Sequence, residues 1–381
     1  MKKELVVELR GVEFVNKGAE LMLYAIISKI KEWDFDVKFV MEKNKRSTMA
    51  KHKELGIYTK AKFKKYKIDY SPLFTFFSSN FLKKYNLIKE ADINVVLDGS
   101  GFAFGDQWGA KYAYYRLGEK AGKWHRQGKK IILMPQAFGP FSDEALQTVM
   151  RTIVENSDLV FARESQSLAY LQQISNAKKI FKAPDFTNLL NGIIPSDFNS
   201  SVNEVAIVPN YKMVEQSTDL STYTDFLLKA IELVKSNGKN PYFLIHEGKR
   251  DRDIAEQVNS KLSVPLNIIF YPNVLEIKGV ISTAHYIICS RFHGVVSALS
   301  QGIPCIATSW SHKYEMLLSE YDFKEFLLKD LEDYSLLEKM ISDLSKDIVN
   351  LQLSDKLKNN AAIQKEGSNE MWSKVYELLN N

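Results

Sequence analysis

Long apolar runs, a cysteine framework and histidine clusters are all missing from this chain. Nowhere in its 381 residues does an apolar run reach the roughly 18 residues that a membrane-spanning helix needs. The two cysteines, Cys289 and Cys305, both lie in apolar, strand-like runs. They read as core thiols of a reducing compartment and exclude a disulfide framework or a thiolate zinc site. The six histidines are scattered, and no His/Asp/Glu spacing argues for a metal. Neither Gly-x-Gly-x-x-Gly nor a Walker motif occurs. The N-terminal stretch MKKELVVELRG has an apolar run too short for a signal peptide, broken by Glu8 and Arg10, and reads as a strand. The formal net charge of +5 is only mildly basic, which suits an anionic small substrate or a lipid headgroup surface as well as a nucleic acid. A cytoplasmic protein without metal or cofactor is the expectation, and nucleic acid is not an expected partner.

What is present is alternation. Short Val/Ile/Leu-rich runs (ELVVEL, DVKFVM, INVVLDG, KIILMP, LVFAR) alternate with segments of helical spacing, as in Gly18–Trp33, Tyr112–Gln127 and Glu144–Glu155. Such alternation means parallel βαβ units. It pauses in an aperiodic Gly/Pro/Ser/Asn stretch and restarts with EVAIVPN, PYFLIHEG, NIIFYP and YIICS. The fold class is therefore α/β with two Rossmann-like, doubly wound domains and a cleft between them. Residues 1–190 read as the N-terminal domain, 191–203 as a linker and 204–358 as the C-terminal domain. Residues 359–381 read as a helix, around Met371–Leu379, packing back toward the N-terminal domain.

Open α/β sheets bind ligands where strands turn into helices, and the polar residues concentrate there. Asn16, Lys17 and Gly18 follow the first strand, either as an anion site at a helix N-terminus or as an ordinary cap. Asp98, Gly99 and Ser100 end the INVVLDG strand. Asp98 holds a sugar hydroxyl or caps the next element, and the glycines let a ligand approach the backbone. Gln136 follows KIILMP in a rigid turn or as a direct contact. Arg163 ends LVFAR, placed to grip a carboxylate or phosphate or to pair with a nearby acid. Asp185 repeats that layout. In the second half, His246 follows PYFL, and Ser290, Arg291, His293 and Gly294 follow YIIC. Arg-x-His-Gly at a strand-to-helix turn, in a chain so poor in histidine, points to a functional site.

The segments NKGAELML, LDGSGFAFGD, MPQAFGPF, FARES, PDF, SRFHGVVSALSQGIPCIA and HKYEMLL occur in this order between Asn16 and Leu318. Together they resemble the polysaccharide pyruvyl transferase family. That resemblance implies a two-domain, GT-B-like fold and transfer of the pyruvyl group of phosphoenolpyruvate onto two hydroxyls of a sugar. The product is a cyclic ketal in a cell-surface polysaccharide (capsule or exopolysaccharide) or its lipid-linked precursor, with release of phosphate. The N-terminal domain would be the acceptor side and the C-terminal domain the phosphoenolpyruvate side. His293 would be the general acid, Arg163 and Arg291 would hold the phosphoenolpyruvate anions, and Lys313, from the last of these segments, would help bind substrate.

The chemistry suits these residue types. Phosphoenolpyruvate carries two anionic groups, for which arginine forks are a natural clamp. Its enol carbon must gain a proton as a hydroxyl attacks the neighbouring carbon, a step suited to an imidazole. Two other readings share the fold. A nucleotide-sugar glycosyltransferase or epimerase needs an acid to grip a ribose, for which Glu315 is available. A non-catalytic sugar-binding protein would bind without turnover. One segment stands outside the alternation: Lys60–Tyr85 interleaves lysines with eight aromatics. It suits peripheral attachment to the inner face of an anionic membrane, or else an ordinary helical insertion with its Phe side chains in the core.

Overall fold

The computed structural model describes residues 2–66, 68–309 and 313–381, with Lys64, Lys65 and Ile68 described in backbone only. Lys67 of the basic segment and His312 of HKYEMLL therefore lie outside the described residues. Residues 1–186 with 369–381 make one compact unit, and residues 187–368 a second. Both are Rossmann-like α/β units.

In the first unit the sheet runs Ile180–Lys182, Leu159–Ala162, Lys130–Phe138, Val95–Asp98, Glu4–Arg10, Asp36–Met41, Tyr58–Lys60, Leu87–Ile88. All these neighbours pair in parallel. The strands are continuous apolar runs because helices cover a parallel sheet on both faces. Leu97, Ile131, Ile132 and Leu133 are fully buried. From Glu4–Arg10 the chain first builds strands toward one edge, then crosses back to build toward the other. The order therefore reverses between Glu4–Arg10 and Val95–Asp98, whose register sets Arg10 beside Asp98.

The helix expected at Tyr112–Gln127 starts at Gly109 and ends at Arg126, with a π-helical turn over Tyr114–Gly118. The short terminal helix is instead the end of one 34-residue helix, Asp347–Asn380. Its last residues belong to the first unit, where Trp372 packs edge-on against Trp33 at 5.8 Å and Phe186 at 6.0 Å.

The second unit repeats the plan with the order Ile268–Ile269, Pro241–Leu244, Val205–Val208, Tyr286–Cys289, Cys305–Thr308, Leu327–Leu328. Here the order reverses between Val205–Val208 and Tyr286–Cys289. The stretch read as a linker packs closely on the Val274–Ser282 helix: Ile193 donates its N–H to the Leu275 carbonyl at 2.8 Å. A Cβ at Gly192 would lie 2.4 Å from the Gly279 nitrogen, so two glycines permit this approach.

Candidate functional site

In the second unit, polar side chains gather at the carboxyl ends of the strands flanking the reversal. Ser290 is buried at its centre. Its Oγ accepts from Tyr223 Oη at 2.8 Å and lies 2.5 Å from Thr308 Oγ1. Its carbonyl accepts from Asn210 Nδ2 at 2.7 Å and from Tyr314 Oη at 2.9 Å. Burial holds the Tyr223 phenol far above its usual pKa, so it stays a donor. Ser290 is thus a fixed post from which the next residues project.

Arg291 follows at the N-cap of the Phe292–Leu299 helix and makes no side-chain capping bond there. Its guanidinium faces two acids that follow the Pro241–Leu244 strand. Nη2 contacts both Asp251 oxygens at 2.6 and 2.5 Å, Nε contacts Oδ2 at 3.0 Å, and Nη1 meets Glu247. Asp251 is buried and also accepts from the Tyr211 N–H at 3.0 Å, whereas Glu247 is partly exposed. Burial pushes the Asp251 carboxyl up and the Arg291 guanidinium down. The bidentate contact opposes both shifts, and its geometry is that of an ionised pair.

His293 is the second residue of that helix, half-buried, with its ring edge-on to Phe292 at 5.4 Å. Lys313, opening the Lys313–Glu320 helix, places Nζ 5.1 Å from the Phe292 ring centre. His293 and Lys313 thus both border Phe292. Gly294 must be small: a Cβ there would lie 2.6 Å from Cys289 Sγ and 3.6 Å from the buried His246 ring. So Ser290, Arg291, His293, Gly294, His246 and Lys313 come together in one unit. Burial pushes the Cys289 thiol up to about 12, leaving it an inert core group.

In the first unit, Asp98 is buried and accepts from Arg116 Nε at 3.3 Å and from the Ser100 N–H at 3.0 Å. Burial alone would raise its pKa; Arg116 and the Ser100 hydrogen bonds outweigh that and hold it low. Ser100 Oγ accepts from Arg116 Nη2. Gln136, expected in a turn past KIILMP, is instead inside the strand, which pairs on through Phe138; fully buried, it reaches Asp98 with a marginal 3.5 Å contact. Arg163 pairs with Asp185 at 3.3 Å, both buried, and its N–H donates to the Gln136 carbonyl at 3.0 Å. These residues therefore line adjacent strand ends.

Several residues expected to contact a ligand are engaged within the protein. Asn16 caps its own helix, accepting from the Ala19 N–H at 3.0 Å, while the neighbouring Lys17 pairs with Glu20 at 2.6 Å and Gly18 is buried in the first turn. A Cβ at Gly99 would meet Ile26 and Val12, each at 2.9 Å, so that glycine serves packing. Glu315, the ribose ligand of the glycosyltransferase reading, is held by Lys324 and Lys329 at 2.6 and 2.9 Å. Arg10 and Arg116 stand outside the residues expected from the sequence. Arg10 ends a strand just as Asp98 does, which was a usable signal; Arg116 sits in a helix and had none. Among the described residues, no group of three or more His, Cys, Asp or Glu is placed to hold a metal, and no helix is long and apolar enough to cross a membrane.

Comparison with known proteins adds the family. The sequence model of the family described as polysaccharide pyruvyl transferase matches residues 16–312. No curated protein matches the sequence. Among solved structures, UDP-GlcNAc 2-epimerase from Neisseria meningitidis, bound to UDP-GlcNAc, superposes with a TM-score of 0.59 at 14% identity, covering 100% of both chains. UDP-GlcNAc 2-epimerase from Methanocaldococcus jannaschii gives 0.59 at 13% identity, covering 98% of this chain and 99% of its own. At such identities the likeness is one of fold, and the fold is GT-B-like.

Proposed function

The chain belongs to the polysaccharide pyruvyl transferase family, and from that premise we propose that it moves the pyruvyl group of phosphoenolpyruvate onto two hydroxyls of a sugar. The observation that carries this reading is the Ser290–Gly294 turn: a histidine in the first turn of a helix, next to an arginine aimed by a buried carboxylate. His293 delivers a proton to the enol carbon as a sugar hydroxyl attacks the adjacent carbon. Phosphate leaves, and the second hydroxyl closes the ketal ring. One phosphate is released per ketal, with no net oxidation.

Arg291 and Lys313 take the anionic groups of phosphoenolpyruvate. In this structure every guanidinium nitrogen of Arg291 already touches a carboxylate. Substrate therefore displaces Glu247, the outer and more exposed partner, while Asp251 keeps the fork aimed. The helix N-terminus adds favourable partial charge for an anion.

The acceptor is carried on a membrane lipid, and the protein meets that membrane through residues 60–85. Phe63, Phe76, Phe77 and Phe81 of this segment are exposed rather than in the core, Phe76 by 85%. Exposed aromatics beside Lys83 and Lys84 suit an anionic interface.

The test of the reaction is incubation of the purified protein with phosphoenolpyruvate and lipid-linked oligosaccharides from the host. Phosphate release should appear with the unmodified protein and vanish with His293→Gln, which keeps hydrogen bonding but cannot donate a proton at neutral pH. Undiminished turnover by His293→Gln would remove the histidine from the mechanism.

A further inference from the structure

The strand-order reversal of the first unit is also a ligand position in folds of this kind, and there a pocket of about 290 Å³ opens. Among its lining residues are Arg10, Glu42, Asn44, Tyr112, Tyr115 and Arg116. The volume falls at the small end of the range for ligand sites, roughly 300–1,000 Å³. We propose that this pocket is a sugar subsite, holding one neutral pyranose ring of the acceptor glycan. The proposal rests on the pyruvyl-transfer reading for the word acceptor, but not for the binding itself.

Charge decides against an anion. Arg10 donates to Glu8 at 2.9 Å, Arg116 to Asp98 at 3.3 Å, and Lys62 pairs with Glu42 at 2.6 Å. The lining itself sets two cations, Arg10 and Arg116, against two carboxylates, Glu8 and Glu42, so a phosphate or nucleoside diphosphate would find no surplus positive charge there. What remains is hydrogen-bonding capacity of both kinds, set around aromatic faces. Arg10 Nε is buried with no hydrogen-bond partner among the described residues, a donor waiting for an acceptor. Glu42 and Asn44 offer further polar atoms at the rim.

The aromatic surface is the second observation. Tyr112 and Tyr115 are 42% and 62% exposed, and Trp108 extends the surface at 5.5 Å and 30° from the Tyr112 ring. Flat rings with polar edges suit the C–H faces and hydroxyl rims of a pyranose. The third observation is the backbone. The π-helical turn Tyr114–Gly118 carries both Tyr115 and Arg116, and such turns are costly and cluster at functional sites. Gly11 forms part of the floor at φ +80°; a Cβ there would lie 2.2 Å from Ser100 Oγ and 2.4 Å from Arg116 Nη2, so only glycine lets that guanidinium seat.

The test is saturation-transfer NMR with the full chain and, as probes, methyl glycosides of neutral hexoses and N-acetylhexosamines, without phosphoenolpyruvate. At least one probe should receive saturation on its ring C–H protons. Tyr115→Ala should weaken its binding by about tenfold, which corresponds to about 1.4 kcal/mol. Tyr115→Phe, keeping the ring, should bind like the unmodified protein, and Glu42→Gln should bind more weakly. Unchanged melting temperatures for these exposed-site variants exclude misfolding. No saturation of any probe, or unmodified binding by both Tyr115→Ala and Glu42→Gln, overturns the subsite. If a glycoside binds here but phosphoenolpyruvate releases no phosphate, the pyruvyl-transfer reading fails and the subsite stands. If transfer occurs while both variants keep the acceptor KM, the subsite fails and the reaction stands.

Discussion

Arg291 lies in a bidentate contact with Asp251, its Nη2 2.6 and 2.5 Å from the two carboxylate oxygens, although 40 residues separate them. The two follow the Pro241–Leu244 and Tyr286–Cys289 strands, which flank the Val205–Val208 strand in the sheet. The pair clamps one turn to the other and fixes the direction in which the guanidinium, and the helix carrying His293, face the solvent.

Removing one partner leaves the other buried and uncompensated. Asp251→Ala should lower the unfolding free energy of the second unit by about 3–5 kcal/mol, read by urea denaturation. Arg291→Lys keeps the charge but cannot span both oxygens, so it should raise the phosphoenolpyruvate KM more than it lowers stability. A variant with unchanged KM would place the substrate anion away from Arg291.

Glu247 competes with substrate for the same fork. Glu247→Gln should lower the phosphoenolpyruvate KM severalfold without a matching rise in kcat, because it weakens a ground-state competitor and leaves the proton donor alone. A raised KM in steady-state kinetics would show instead that Glu247 helps to hold the substrate.

His52 sits buried between Ser47 Oγ and Thr59 Oγ1, each 2.7 Å from a ring nitrogen, and burial lowers its pKa from 6.5 to about 4. The unfolded chain therefore takes up the proton first. The contribution is complete above pH 6.5 and is lost as pH falls toward 4. Between pH 7 and 5 the first unit should lose about 2 kcal/mol, or about 4–8 °C in melting temperature. His52→Gln should flatten that slope; an equally steep slope in the variant would put the titration elsewhere.

If residues 60–85 meet a membrane, liposome flotation should recover the protein with anionic vesicles at low salt and less of it at high salt. Phe76→Asp with Phe77→Asp should abolish flotation and spare turnover of a soluble acceptor. Equal recovery on neutral and anionic vesicles would remove the electrostatic part of the argument, and no recovery would remove the membrane.

The alternation of the chain was legible because strands of a covered parallel sheet are apolar throughout, and the candidate residues were legible because they follow those runs directly. Asp98, Arg163, Ser290 and Arg291 stand at strand ends and Asp185 just beyond one, whereas Gln136 lies inside a strand that runs on to Phe138. What each one touches was not legible. Arg116 reaches Asp98 from a helix, Tyr223 and Tyr314 reach Ser290 from two others, and no local pattern encodes such pairings. The π-helical turn leaves no mark in hydrophobic spacing. The aromatics of 60–85 carry the composition of a core, and only the surrounding packing determines that several of them stay outside it.

The central claim is that phosphoenolpyruvate is split at this protein and its pyruvyl group kept on a sugar. The most direct measurement is mass spectrometry of the glycan after reaction with carbon-labelled phosphoenolpyruvate, with phosphate counted in parallel. The account predicts a labelled product heavier by one pyruvic acid less one water, one phosphate per product, and neither with His293→Gln. Phosphate released without labelled glycan, or a glycan extended from a nucleotide sugar instead, would contradict it.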